Sequence, residues 1–213
     1  MSRWGVARTV IRPHRGVSAE DRTTARRARL LAAGRAQVAE NGVAGLSVDG
    51  VCRQAGLTKR YFYESFTGMD AMLAAMFDDA VEALRAALSA TLASAPPVFE
   101  QRVREAVRTV LTTLSSDRGW SRLWAEASAH PVLRIRRNAA LDGFVAALTG
   151  ELDDAGPQDP ATTLLVLVAG VTELVERRLQ DDLDISDDAL VDQLVLIGVA
   201  ACAPLRPGGG QTG

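Results

Sequence analysis

Thr58, Lys59, Arg60, Tyr61 and Tyr63 bring two cations and three hydroxyls into one short run of the chain. Ammonium, guanidinium and hydroxyl groups donate to phosphate oxygens, and the two cations can also reach the acceptor edge of guanine. Such a run can do this only if a scaffold points it outward. The preceding residues supply one. Ser47 is a good N-cap for a helix from about Val48 to Ala55, in which Val48, Val51, Cys52 and Ala55 recur at helical spacing. Gly56 stops that helix in a left-handed turn at little cost, and Leu57 plugs the gap between the helices. Thr58 then caps a second short helix. Phe62 and Phe66, four apart, face the core and leave Lys59, Arg60, Tyr61 and Tyr63 on other faces. Compact support, a tight turn and cations at the start of the second helix suit an element that enters a DNA major groove. The plainer alternative is a helical hairpin with a solvated basic end.

Charge distribution favours the first of these. The formal net charge of the chain is −2, yet residues 1–66 hold 12 Lys+Arg against 5 Asp+Glu, net +7, and residues 67–213 hold 12 against 21, net −9. A basic first third attracts phosphate, and an acidic body keeps the rest of the chain off it. Arg22, Arg26, Arg27 and Arg29 crowd the first half of a helix that runs to about Asn41 with Ala28, Leu30, Leu31 and Val38 inward. Cations near a helix N-terminus oppose its dipole, a cost that nearby phosphate would offset; a solvated face is the alternative. Arg3, Arg8, Arg12, Arg15 and His14 make 1–18 a basic arm, expected either to lie along DNA or to be a plain disordered tail.

The segment from about Ala25 to Leu73 resembles the DNA-binding domain of the tetracycline-repressor-like (TetR) family of bacterial regulators. The resemblance rests on Ala39-Glu40-Asn41-Gly42, Leu46-Ser47-Val48, Ala55-Gly56-Leu57-Thr58-Lys59 and Phe62-Tyr63-Glu64-Ser65-Phe66, in that order and spacing. It implies an all-α protein, with a three-helix helix-turn-helix domain followed by a helical domain for effector binding and dimerisation. It implies a homodimer whose recognition helices enter successive major grooves of a pseudo-palindromic operator in double-stranded DNA. Release by a small-molecule effector, and hence repression, is implied with it. Position by position, Thr58, Lys59, Arg60 and Tyr61 would face the groove and Tyr63 the backbone. With Arg26, Arg27 and Ser47 these make the candidate DNA contacts. Tyr61 stands where many members carry a small residue, which implies a different base preference. Thr67-Gly68-Met69-Asp70 lacks the Lys that many carry at the start of the next helix, and backbone N–H groups near Gly68 could take its place.

The elements that must hold this module are all helical. A helix from about Met69 to Leu92 joins it to the body, and Pro96-Pro97 ends that segment. Further helices are expected at about 98–115, 119–129, 132–153, 160–181 and 187–202. Their markers are Asp117 and Gly119 before Trp120, the His130-Pro131 break, Asp159-Pro160 as cap and first helical residue, and Ser186 ahead of Asp187 and Asp188. The division that follows is 1–18 arm, 19–67 DNA-binding domain, 68–203 effector and dimerisation domain, and 204–213 a Gly/Pro-rich tail expected to be disordered.

The last two helices are apolar on more than one face, which predicts cover from a second chain. The stripe assigned to a two-fold, four-helix interface is Leu164, Leu167, Val171 and Leu174 with Leu190, Leu194, Ile197 and Ala201. The other stripe is Leu165, Val168, Val175 and Leu179 with Val191, Val195, Val199 and Cys202, and the alternative is that these are central helices buried within one subunit. The middle helices supply candidate pocket residues: Leu111, Trp120, Leu123, Trp124, His130, Phe144, Leu148 and Thr172. An apolar wall with few polar groups fits an apolar or amphipathic small molecule, though aromatics at helical spacing are more often a plain core.

Other classes fail on inventory. The two His, at 14 and 130, have no metal spacing, and no Gly-rich phosphate loop lies between strand and helix. Asp181, Asp182 and Asp184 read as a solvated acidic turn. Cys52 and Cys202 sit in apolar helical settings and read as core residues. No enzyme, cofactor or metal is expected. Residues 1–22 lack the apolar core of a secretory signal, and the longest apolar run, Leu164–Val171, is too short to span a bilayer, so a cytoplasmic protein without membrane contact is expected. The rival reading is a helical small-molecule binder without specific DNA binding.

Overall fold

The computed structural model describes residues 19–150 and 160–203. The expected arm at 1–18, the tail at 204–213, residues 151–153 of the helix read as 132–153, and the Asp159 cap lie outside the described residues.

All regular structure among the described residues is helical. Helix α1 (Ala19–Asn41) carries Glu20 and Asp21 in its first turn, where they offset the dipole against which the four arginines work. It buries Leu30, Leu31, Ala33 and Val38, while Ala28, expected inward, is exposed: the inward stripe starts one turn later than the apolar composition suggests. A single 3₁₀ turn (Val43–Gly45) leads to α2 (Val48–Ala55) and α3 (Lys59–Ser65). Ser47 caps α2 as expected, its hydroxyl accepting from the Gly50 N–H at 3.2 Å. Gly56 follows at φ +62°, a left-handed conformation that glycine adopts without strain. Thr58 occupies the cap position of α3, but its side chain makes no capping bond.

Helix α4 (Met69–Ser94) buries Met72, Leu73, Met76, Phe77, Val81 and Leu84 and packs on both α1 and α5 (Phe99–Ser115). Then comes α6 (Arg118–Ala125), capped by Asp117, whose carboxylate accepts from the Gly119 N–H at 2.8 Å and the Trp120 N–H at 3.2 Å. The sequence markers predict one helix from 119 to 129. The α-helix instead ends at Ala125, and Ala127–Ala129 form a 3₁₀ turn. His130 is extended, as a residue before proline prefers, so the helical path is already giving way before Pro131. Helices α7 (Pro131–Gly150), α8 (Pro160–Leu179) and α9 (Asp187–Cys202) complete the body, with Ser186 capping α9.

One apolar core runs through both ends of the protein. Leu30, Phe62, Met72, Phe77, Leu111, Leu123, Leu133 and Leu190 belong to it, and most of them are fully buried. Removing such side chains from water contributes roughly 1.5–3 kcal/mol each. The recognition helix is thus held by the same packing that holds the body.

Candidate nucleic-acid interface

Phe62 anchors α3 from within. It is fully buried, its ring lies 5.6 Å from that of Phe66, and Tyr63 meets it edge-on at 5.3 Å. With that face committed, Thr58, Lys59, Arg60 and Tyr63 are left exposed, Tyr63 by 60%. Tyr61 is half-buried under the Arg26 guanidinium, which lies 4.7 Å from the ring centre. Ser47 is exposed at the start of α2 and is engaged as its cap.

Both cations of α3 already have acidic partners. Lys59 Nζ lies 2.7 Å from Asp49 Oδ1, across the turn in α2, and Arg60 Nε donates to Glu64 Oε1 at 2.9 Å, one turn along α3. The hydrogen bond that Lys59 donates to Asp49, with that carboxylate's charge, pushes the Lys59 ammonium further up, and Glu64 does the same for Arg60. Both remain charged at any physiological pH. Both pairs are exposed, so neither adds much to stability. Arg53, in the last turn of α2, is exposed and has no acidic partner among the described residues.

The arginines of α1 have a use that the sequence reading missed. Arg27 Nη1 donates to the Ser65 carbonyl at 3.1 Å, and its guanidinium covers the Phe66 ring at 4.4 Å. Arg29 Nη2 donates to the Ala55 carbonyl at 2.6 Å. Ser65 and Ala55 are the last residues of α3 and α2, where carbonyls lack helical partners and the dipole favours a cation. Two cations that look misplaced on their own helix therefore complete the ends of two others. Only the tertiary fold reveals this, because the partners are 38 and 26 residues away.

A second contact joins this module to the body. Arg122 on α6 points its Nη1 at the carbonyls of Ala39 and Glu40, the end of α1, at 3.5 and 3.3 Å. Glu126, paired with Arg122 at 3.2 Å, accepts from the Val43 N–H at 2.8 Å. One ion pair thus serves the negative end of α1 and the positive start of the following turn. Gly119 lies so close to α1 that a Cβ there would sit 2.5 Å from the Arg35 carbonyl oxygen. Arg35 in turn reaches Asp117 at 3.5 Å and lies over the Trp120 ring. Nearby, His130 Nε2 lies 4.0 Å from Asp70 in the first turn of α4.

The expected pocket residues differ in burial. Leu111, Leu123, Trp124 and Thr172 are buried, with Trp124 stacked on Phe77 at 5.0 Å. Trp120, His130 and Phe144 are half-buried and Leu148 is exposed. A cavity of about 220 Å³ lies between the end of α4 and the start of α5, lined by Thr91, Ser94, Gln101, Arg104 and Glu105. A more open groove of about 570 Å³ runs between α7 and α8 past Val145, Ala146, Thr162 and Leu165. Between the same two helices, Arg137 and the buried Glu176 pair at 2.9 Å. Burial raises the Glu176 carboxyl more than its arginine lowers it.

The apolar stripes of α8 and α9 are rotated from the expected phase. Leu164, Leu190 and Leu194, assigned to a partner, are 4%, 2% and 5% exposed and already covered within the protomer. Leu167, Val171, Leu174 and Ala201 are half-buried, and Ile197 is exposed. The outward apolar side chains are Leu165, Val166, Leu196 and Ile197, with 43–67% exposure. The physical reason lies in Thr172 and Glu176, polar residues that α8 turns inward. A stripe traced through apolar residues alone therefore takes the wrong phase. Among the described residues no helix is long and apolar enough to cross a membrane.

Residues 30–76 match the family described as bacterial regulatory proteins, tetR family. No curated protein matches the chain in sequence. Among solved structures, a transcriptional regulator from Rhodococcus sp. Rha1 is similar at 23% identity and a TM-score of 0.70, over 83% of this chain and 96% of that one. FadR from Bacillus subtilis, in complex with stearoyl-CoA, is similar at 17% identity and TM-score 0.69, over 82% and 98%. The multidrug binding protein EbrR, complexed with imidazole, is similar at 24% identity and TM-score 0.63, over 88% and 98%. At these identities the likeness is one of fold.

Proposed function

We propose that this chain, whose residues 30–76 match the tetR family of bacterial regulatory proteins, is a cytoplasmic, homodimeric repressor released from its operator by a small molecule. The observation that carries this reading is the exposed start of α3 within the matched segment: Thr58, Lys59, Arg60 and Tyr63 face away from a core anchored by Phe62. Lys59 and Arg60 read bases, Tyr63 and Ser47 meet the backbone, and Arg26 sets Tyr61 at the edge of the groove. Arg27 acts behind them by holding the end of α3. Residues 19–67 form the DNA-binding domain and 68–203 the effector and dimerisation domain. The outward side chains of α8 and α9 seat the second copy, which suits a pseudo-palindromic site with half-sites about 34–36 Å apart.

The effector is apolar or amphipathic and binds between the helices of the body. Support comes from the apolar surroundings of Trp120 and Trp124, and from their buried indole N–H groups, which find no hydrogen-bond acceptor among the described residues. A ligand with one oxygen acceptor on an apolar frame would satisfy either. Its binding must favour the form with wrongly spaced recognition helices, or DNA affinity cannot change. Helix α4 is one lever, and the α6 clamp on the end of α1 is the other.

The test is retention of sheared host genomic DNA by the purified protein at two salt concentrations, followed by sequencing. Fragments sharing an inverted repeat are expected to persist at the higher salt. Lys59→Ala with Arg60→Ala should lower affinity for those fragments by about 10²-fold or more, at 1–3 kcal/mol per base contact. Unchanged affinity in that double variant, or no shared motif, would leave the rival helical binder as the better reading.

A further inference from the structure

The pairing of both recognition cations with the protein's own acids has a consequence for selectivity. Asp49 comes from α2 and Glu64 from the far end of α3, yet each lands on one of the two cations at the start of α3. Arg60 spends its Nε on Glu64 and keeps the fork of its two terminal nitrogens as further donors. That fork is the part of arginine that matches the O6 and N7 acceptors of guanine. Lys59 spends one of three donors on Asp49 and keeps two.

A neutral base edge can be added to such a pair without loss of the carboxylate. A phosphate cannot, because it meets the carboxylate's charge. Each pair is close to neutral as a unit, so it contributes little to the attraction that any DNA sequence exerts. Resting on the DNA-binding reading above, we propose that Asp49 and Glu64 are specificity-determining residues that aim Lys59 and Arg60 at base edges and suppress their attraction to phosphate. The two acids differ in kind. Asp49 fixes α3 to α2 across the turn, while Glu64 stiffens a side chain along its own helix.

The test uses the full chain and a fluorescein-labelled 30-bp duplex of random sequence, titrated over a range of salt. Asp49→Asn with Glu64→Gln is compared with the wild type and with Asp182→Asn with Asp184→Asn. The latter removes two exposed acids from the α8–α9 connection for the same change of net charge. Random-duplex affinity of the first variant should rise about tenfold. The slope of log affinity against log salt should steepen by roughly 1–2, at about 0.9 per phosphate newly engaged. The control variant should keep the wild-type slope. A slope in Asp49→Asn/Glu64→Gln no steeper than the control's overturns the assignment while leaving DNA binding intact. Failure of the wild type to bind the duplex even at low salt overturns both.

Discussion

At the recognition end, side chains that leave the core meet directed partners. Lys59 has Asp49, Arg60 has Glu64, and Arg27 and Arg29 have helix-end carbonyls. On the outer face of α8 and α9, Leu165, Val166, Leu196 and Ile197 leave the core and face outward instead. The two regions answer to different physics. A charged side chain is content in water and can wait there for a ligand. An apolar one gains by being covered, at roughly 25 cal/mol per Å². The first surface is therefore stable as it stands and suits reversible binding. The second suits a lasting contact with another apolar surface. The comparison also separates specificity from affinity, since directed bonds select a partner and apolar area holds it.

The sharpest way to break this contrast is to put charge where the apolar side chains are. Val166→Glu with Leu196→Glu should leave the protomer folded, because both positions are exposed at 67% and 65%. Sedimentation is expected to show a dimer for the wild type and a monomer for this variant. Affinity for an inverted-repeat site should fall by about 10²-fold or more, because two linked half-site contacts become independent. A variant that still sediments as a dimer would move the interface elsewhere. A variant that sediments as a monomer with undiminished affinity would mean that one protomer suffices.

How much of this could be read in advance follows the same division. The α2 boundaries were legible to the residue, since Ser47 and Gly56 mark them by local chemistry. The exposed character of Lys59, Arg60 and Tyr63 was legible because Phe62 and Phe66, four apart, declare the opposite face. The pairing of Lys59 with Asp49 was not, because a ten-residue step across a turn has no periodicity to read, whereas Glu64 stands one helical turn beyond Arg60, a spacing the sequence does carry. Nor was the phase of α8, where Thr172 and Glu176 interrupt the inward stripe with polar side chains. The clamp of Glu126 on the Val43 N–H joins residues 83 apart and leaves no trace in either local pattern. Leu111, Leu123 and Trp124, expected to line a pocket, are buried in the core, where apolar character alone does not separate lining from packing.

That clamp offers the intermediate case, a polar contact inside the fold, and a second prediction of smaller size. Glu126→Ala strands the Val43 N–H and leaves Arg122 with only the α1 carbonyls. Gly119→Ala pushes a methyl into the Arg35 carbonyl, an atom of rigid backbone. Each should cost about 1–3 kcal/mol of stability in urea unfolding. Each should also change operator affinity without touching α3, because α6 then seats differently on α1. Loss of stability with operator affinity unaltered would make the contact a purely structural brace and return the coupling to α4 alone.

The smallest effect concerns a buried ion pair of the body's interior, Arg137 with Glu176 between α7 and α8. Here charge and burial, kept apart at the two surfaces, meet in one place. Burial outweighs the arginine, so the folded-state pKa of Glu176 lies above its unfolded value. The sign follows from that direction. The protonated carboxyl is favoured by folding, so its contribution is fully present below the unfolded pKa and is lost as pH rises through the folded pKa. Glu176→Gln mimics the protonated form at every pH and should carry no such slope. Urea midpoints of the two proteins, compared from pH 4 to pH 7, should therefore diverge with rising pH, the wild type losing ground to the glutamine variant. Convergence instead would mean that Arg137 outweighs burial, and that the pair behaves like the exposed pairs of α3 and not like a buried charge.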